Sequence, residues 1–385
     1  MKYVELGKII ASAKVRRAGN TNYPVLSMTM RDGLVNQADK FKKRIASADT
    51  SPYKVVEKNQ LVVGFPIDEG VLAFQNLYDE AIVSPAYNIW NLQKDAPVDS
   101  KYLEGFLRSP RALAFYKSKL QSTTARRRSI PNDEFLSLLV PMPSLLEQKR
   151  LLKLLDEADE LRKLCAQASR RTATLIPALF HEMFGDPEHT RLPVKQLVEL
   201  VVPERPVTYG ILKPGPDIEG GVPYVRVLDI KQNHLHVPQL RKTTKTIANE
   251  YRRSTLCPGD ILVTIRGTVG RTCIVPEELK GANITQDTAR LALIPAVETT
   301  YVVEFLNTTW AQDWMSRHML GQAVKGINLG DLRKLPVPIP PLPLQRKFAQ
   351  RVTTIRQLKA EQAVSDRRLN KLFESMLHRA FIGEL

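Results

Sequence analysis

The stretch VPMPSLLEQKR beginning at Val140 returns as VPIPPLPLQRK at Val337, an offset of 337 − 140 = 197 residues. The register holds without gaps to Phe184 and Phe381. Within it Pro141, Pro143, Leu145, Gln148, Leu161, Ala166, Arg170, Arg171, Leu175 and His181 meet identical residues. The partners are Pro338, Pro340, Leu342, Gln345, Leu358, Ala363, Arg367, Arg368, Leu372 and His378. Just beyond, Gly185-Asp186 is echoed by Gly383-Glu384. A repeat at about half the chain length requires two similar halves, each containing the same supersecondary unit.

Prolines open each repeated segment, suiting an extended lead into a helix, and a long stretch without glycine follows. Leu151, Leu154, Ala158, Leu161, Cys165, Ala168, Thr172, Leu175 and Leu179 are spaced by threes and fours, a heptad seam for pairing with a second helix. Phe348, Val352, Ile355, Leu358, Leu369, Leu372 and Met376 follow nearly the same phase, interrupted by Arg351, Gln362 and Ser365. The spacing predicts that Leu154, Leu161 and Leu175 face Ile355, Leu358 and Leu372, and that Pro177 kinks or ends the first helix.

Between the helical copies the periodicity is mixed. Short β-branched runs such as Leu61-Val62-Val63, Tyr224-Val225-Arg226-Val227 and Asp260-Ile261-Leu262-Val263-Thr264-Ile265 alternate with turn signals, as in α/β or α+β domains. The expected architecture is two such globular domains separated by two long antiparallel coiled-coil helices, with pseudo-twofold internal symmetry. The divisions are residues 1–139, a spacer helix at 140–186, residues 187–336 and a second spacer helix at 337–385. The globular segments share little sequence, so the scaffold does one job twice while the domains read two different things.

Charge narrows the partner. Of 385 residues, 56 are Lys or Arg and 40 Asp or Glu, a net charge of +16 that favours a polyanion. Cys165, Cys257 and Cys273 lie far apart with no CxxC pair, so neither a disulfide framework nor a zinc site is supported. No run of apolar residues is long enough for a membrane span, and the start, MKYVELGK, is charged where a signal peptide is apolar. The reading is a cytoplasmic protein.

The proline-to-helix junctions, the ending LNKLFESMLHRAFIGEL, the segment Tyr209-Gly210-Ile211-Leu212-Lys213-Pro214-Gly215, GDILVTIRGTVGR from Gly259 and Gly326-Ile327-Asn328-Leu329-Gly330-Asp331-Leu332 occur in one order about the doubled helix. In this order the chain resembles the specificity subunit of a type I restriction-modification system over nearly its whole length. The resemblance implies two target-recognition domains, each reading half of a bipartite, asymmetric sequence in double-stranded DNA, with the paired helices as spacer. It also implies partners: methyltransferase (modification) subunits using S-adenosylmethionine, and restriction subunits that translocate with ATP and magnesium.

Catalytic signatures are missing from the sequence itself. The GxxxxGK[ST] loop is absent, and Gly267-Thr268-Val269-Gly270-Arg271 reads as a hairpin turn. No [DN]PP[YF] tetrapeptide occurs, and His234 and His236 lack zinc partners. A non-catalytic subunit with no cofactor of its own is therefore expected. The alternatives are the specificity module of a related modification or phage-defence system, or a methyltransferase or nuclease with fused recognition domains. Candidate DNA contacts are Lys43, Arg44, Arg126, Arg127, Arg128, Tyr209, Arg266, Arg271 and Lys325. The matched pairs Arg170, Arg171 and Arg367, Arg368 are candidates for docking two copies of one partner, the modification subunit.

Overall fold

A computed structural model describes residues 2–30, 32–40, 47, 49–120, 128–231, 234–235, 237–321 and 325–382. The chain forms two compact units, one made of Met1–Ala166 with Val364–Leu385, the other of Gln167–Ala363. The division cuts through both long helices, so each unit owns the start of one helix and the end of the other. Among the described residues no helix is long and apolar enough to cross a membrane.

In the first unit, an antiparallel sheet runs in the order Ile10–Ser12, Asn88–Leu92, Leu61–Val63, Leu72–Phe74. Its apolar face packs on the helices Ser100–Leu107 and Pro110–Ser118 through Tyr102, Leu103, Phe106 and Tyr116. Both helices start where a side chain satisfies free amides: Asp99 accepts from the Lys101 and Tyr102 N–H groups, and Ser109 from that of Ala112. The end of the second long helix completes this core. Ala380 and Phe381 are buried, and the Phe381 ring lies 5.5 Å from Tyr102 and 5.6 Å from Phe106.

The second unit repeats this plan with different residues. Its sheet runs Thr208–Tyr209, Thr288–Leu291, Ile261–Thr264, Thr272–Ile274, again antiparallel, and packs on Thr299–Leu306 and Thr309–Arg317. Here the end of the first long helix fills the core: Phe180 stacks on Tyr301 at 5.7 Å and meets Phe348 edge-on at 5.6 Å. The two globular domains, dissimilar in sequence, are thus one topology built twice. GDILVTIRGTVGR forms a hairpin as expected, with Ile261–Thr264 paired to Thr272–Ile274.

The identities of the repeat are explained at the proline junctions. Leu139–Pro141 pairs antiparallel with Tyr3–Glu5, and Pro336–Pro338 with Val194–Gln196. Tyr102 donates its hydroxyl proton to the Pro141 carbonyl at 3.1 Å, and Tyr301 to that of Pro338 at 2.6 Å. Gln148 and Gln345 are fully buried beside them. The Gln148 amide donates to the Pro97 and Pro143 carbonyls and accepts from the Asp99 N–H; that of Gln345 donates to Pro340 and accepts from the Glu298 N–H. Each glutamine ties the extended proline lead, the long helix and the globular domain together.

The first long helix spans Leu145–Ala173 and resumes as Leu175–Phe184. Pro177 accounts for the break, because it has no N–H for the carbonyl of Ala173, four residues earlier. Lys359 Nζ lies 3.5 Å from that freed carbonyl. The second long helix runs unbroken over Leu342–Ile382.

The structure corrects the expected seam. Leu161, Leu175, Leu358 and Leu372 are 53%, 44%, 57% and 55% exposed, so they do not face one another. The more sheltered positions are Leu155, Arg162, Ser169 and Ile176 in the first copy and Lys359, Asp366 and Phe373 in the second. Every second seam position therefore falls one residue later than predicted. The seven-residue repeat itself holds, since the sheltered positions are spaced by sevens; what differs is the face, which at these positions lies one residue, about 100° of helix, beyond the predicted leucines. The true contact surface is also more polar. In the first unit Arg162 donates to Asn370 at 2.9 Å and lies 4.3 Å over the Phe373 ring; in the second, Thr172 donates to Gln362 at 3.0 Å. Within the first unit the partner numbers fall as the helix rises, since Leu155 shares a groove with Leu377. The helical segments there are antiparallel.

Candidate nucleic-acid interface

Three backbone segments converge at one edge of the second unit's sheet. The first is Tyr209-Gly210-Ile211. Ile211 N–H donates to the Ile284 carbonyl at 2.7 Å, and Gln286 N–H donates back to Ile211 at 3.0 Å. This approach needs glycine at 210, because a Cβ there would stand 1.9 Å from the Ile284 oxygen. The second segment, Ile265-Arg266-Gly267, leaves the strand Ile261–Thr264. The third, Lys325-Gly326-Ile327-Asn328, crosses it: Gly267 N–H donates to the Lys325 carbonyl and Ile327 N–H to Ile265. A Cβ on Gly326 would come within 2.9 Å of the Ile265 oxygen and of the Arg266 Cγ. The glycines of two sequence motifs are therefore close-approach positions that bring Tyr209, Arg266 and Asn328 together. Between them lies an open pocket of about 170 Å³ lined also by Leu212, Gln286 and Leu329.

Around this edge most arginines are already committed. Arg205 forms a two-pronged pair with Asp260 at 2.7 and 2.6 Å, and that hydrogen bonding raises its pKa. Arg226 pairs with Asp229, with the same effect. Arg290 is fully buried and donates to the Pro206 and Arg253 carbonyls; burial, with Arg205 nearby, lowers its pKa. Arg333 donates to the Val207 carbonyl at 2.7 Å. Arg290 and Arg333 thus pin the segment that leads into Tyr209.

The predicted contacts separate accordingly. Tyr209, Arg266 and Lys325 are exposed and meet at this edge. Arg271 lies on the same hairpin but donates to the Ile230 carbonyl at 2.9 Å, bracing a neighbouring turn. Arg128, in the first unit, donates to Asp68 at 2.9 Å and to Glu69; the Asp68 bond leads in raising its pKa. Its own carbonyl accepts from Ile67. Arg128 is thus tied to the turn Ile67–Glu69. Lys43, Arg44, Arg126 and Arg127 lie outside the described residues. Arg170 and Arg171 are exposed on the second unit, Arg367 and Arg368 on the first.

Sequence reasoning missed Gln286 altogether, for a lone glutamine before a strand carries no pattern. Asn328 sat in a motif already noted, yet nothing marked its side chain as a contact. By topology the corresponding edge of the first unit holds Phe65, Tyr87, Asn88 and Asn132. There the Phe65 and Tyr87 rings meet edge-on at 6.2 Å, and Asn88 donates to Asn132 at 3.2 Å. Among the described residues, one architecture therefore carries different side chains at the corresponding edges of the two units.

Residues 213–364 match the family model of the type I restriction modification DNA specificity domain. The chain is 28% identical over 306 residues to the EcoBI type I restriction enzyme specificity subunit of Escherichia coli, covering 71% of this chain and 64% of that one. The second half of the chain thus carries a DNA specificity domain, and most of the chain is similar to a type I specificity subunit. The EcoDI specificity subunit of the same organism is 35% identical over 96 residues, 23% of this chain and 21% of the relative. The alignments span less than two thirds of these curated specificity subunits. Among solved structures, one of a type I restriction-modification assembly matches with a TM-score of 0.71 at 19% identity, covering 100% of this chain and 98% of that one. The HsdS subunit from Thermoanaerobacter tengcongensis matches at 0.57 and 20%, covering 100% and 97%. These show that the specificity-subunit fold extends over the whole chain. The family-model match contains Arg266, Gln286, Lys325 and Asn328; Tyr209 lies just before it.

Proposed function

We propose that this chain is the DNA sequence-specificity subunit of a type I restriction-modification enzyme. Each unit reads one half of a bipartite, asymmetric duplex target, and the long helices set the unread spacer. The observation that carries this reading is one topology built twice with chemically different edges: a shared scaffold suits two DNA half-sites, and different edges suit two different sequences. The net charge of +16 supplies attraction to phosphates at both.

Methyl transfer and DNA translocation belong, in this reading, to partner subunits that bring adenosylmethionine and ATP chemistry; this chain supplies recognition. The modification subunit docks twice, once on each copy of the repeat. The outward leucines support that arrangement, since Leu161 matches Leu358 and Leu175 matches Leu372, all exposed, with Arg170, Arg171, Arg367 and Arg368 on the same helices.

Single-molecule methylation mapping in cells expressing the chain with its modification subunits tests the proposal. A two-part motif with an unread gap is expected, and replacing residues 1–139 by another family member's first domain should change one half only. Methylation independent of this chain, or simultaneous change of both halves, would overturn it.

A further inference from the structure

We propose that Arg266, Gln286 and Asn328 are the side chains with which the second unit reads bases, Arg266 at a guanine and the two amides at adenine. The inference rests on the DNA-specificity reading and goes beyond it by assigning the readers. Three features single out this set. All three side chains line one open pocket, beside Tyr209 and the apolar Leu212 and Leu329. Among the described residues none of the three side chains has a hydrogen-bonding or ionic partner, whereas Arg205, Arg226, Arg271, Arg290 and Arg333 around them all do. Asn328 is the most telling. It precedes the helix Leu329–Arg333 where asparagine ordinarily caps the first turn, yet its side chain makes no capping bond.

The three are also held at fixed separations without help from their own side chains. Backbone hydrogen bonds link the segments that bear them: Gln286 to Ile211, Ile211 to Ile284, and Ile327 to Ile265. Such a rigid support is what base reading demands, because a bidentate contact tolerates little displacement. The chemistry then follows from donor and acceptor patterns in the major groove. A guanidinium offers two parallel N–H donors to O6 and N7 of guanine, and a carboxamide offers one donor and one acceptor to N7 and N6 of adenine. Leu212 and Leu329 suit a thymine methyl. Lys325, at the rim, is a phosphate contact in this scheme.

The test is selection from randomised duplexes by the assembled complex of this chain with its modification subunits, wild type against Arg266→Ala, Gln286→Ala and Asn328→Ala. Arg266→Ala should cut the preference for one guanine in the second half-site by roughly 5- to 150-fold and leave the first half-site intact. Gln286→Ala and Asn328→Ala should relax adenine positions in the same half. Arg266→Lys separates reading from charge: overall affinity and its salt dependence should persist while the guanine preference falls. Lys325→Gln should weaken all sequences alike. None of these side chains supports the fold, so unchanged melting curves should accompany the altered selection. If the variants select the wild-type sequence, or relax the first half-site, the assignment fails while the specificity reading stands. If wild type itself selects no two-part sequence, both fail together.

Discussion

Gln345→Leu keeps the side chain's approximate volume and deletes both ends of its amide. In the native protein that amide donates to the Pro340 carbonyl at 2.7 Å and accepts from the Glu298 N–H at 2.9 Å, with the residue fully buried. Leucine leaves both backbone groups unpaired. Each such orphan costs about 1–3 kcal/mol, and the apolar replacement recovers part of the loss, so a net destabilisation of about 2–4 kcal/mol is expected. Gln148→Leu orphans three groups, the Asp99 N–H and the Pro97 and Pro143 carbonyls, and should cost at least as much. Urea denaturation gives the total, and amide exchange localises it. Gln345→Leu should speed exchange at Glu298 and spare Asp99, and Gln148→Leu the reverse, because the two glutamines belong to different units. A loss below about 0.5 kcal/mol in both variants, the range of ordinary surface changes, would refute the view that these glutamines clamp the junctions.

The remaining expectations concern the helices and one buried acid. Leu161→Ala should cost less than about 0.5 kcal/mol in the same denaturation assay, whereas Phe381→Ala, which empties the first unit's core, should cost about 3–5 kcal/mol. Burial raises the Glu104 carboxyl above its ordinary 4.5, against the pull of the Phe74 N–H and Arg108. An acid whose pKa folding raises stabilises the fold below its unfolded value and loses that contribution as pH rises through the folded one. Wild type should therefore lose stability relative to Glu104→Gln as pH rises above the carboxyl's ordinary 4.5, measured by paired urea titrations; a constant difference would contradict the raised pKa. Arg170→Glu with Arg367→Glu should leave the fold intact and reduce the number of modification subunits bound, read by native mass spectrometry. Unchanged stoichiometry would leave both as plain surface charges.

Local patterns made much of this protein legible. The 197-residue offset between Val140 and Val337 required a doubled scaffold, and the prolines and glutamines within it are the residues that build both junctions. The hairpin at Ile261–Thr264 and the helix break before Pro177 were equally readable, since turns and proline act over a few neighbours. Position along the chain could not reveal that two dissimilar domains share one topology. A sheet requires apolar faces and compatible pairing, which many sequences satisfy. Nor could it decide which leucines face inward. A spacing of threes and fours does not tell which of two adjacent residues the partner helix covers, and packing leaves Leu161 and Leu175 at the surface. The candidate site shows the same division. Arg128, Arg266 and Arg271 are indistinguishable as letters. Only folding brings Asp68 to the first, the Ile230 carbonyl to the third and no partner among the described residues to Arg266. Whether a charge is spent within the protein or left for a ligand depends on contacts between residues distant in sequence, and those exist only once the chain has packed.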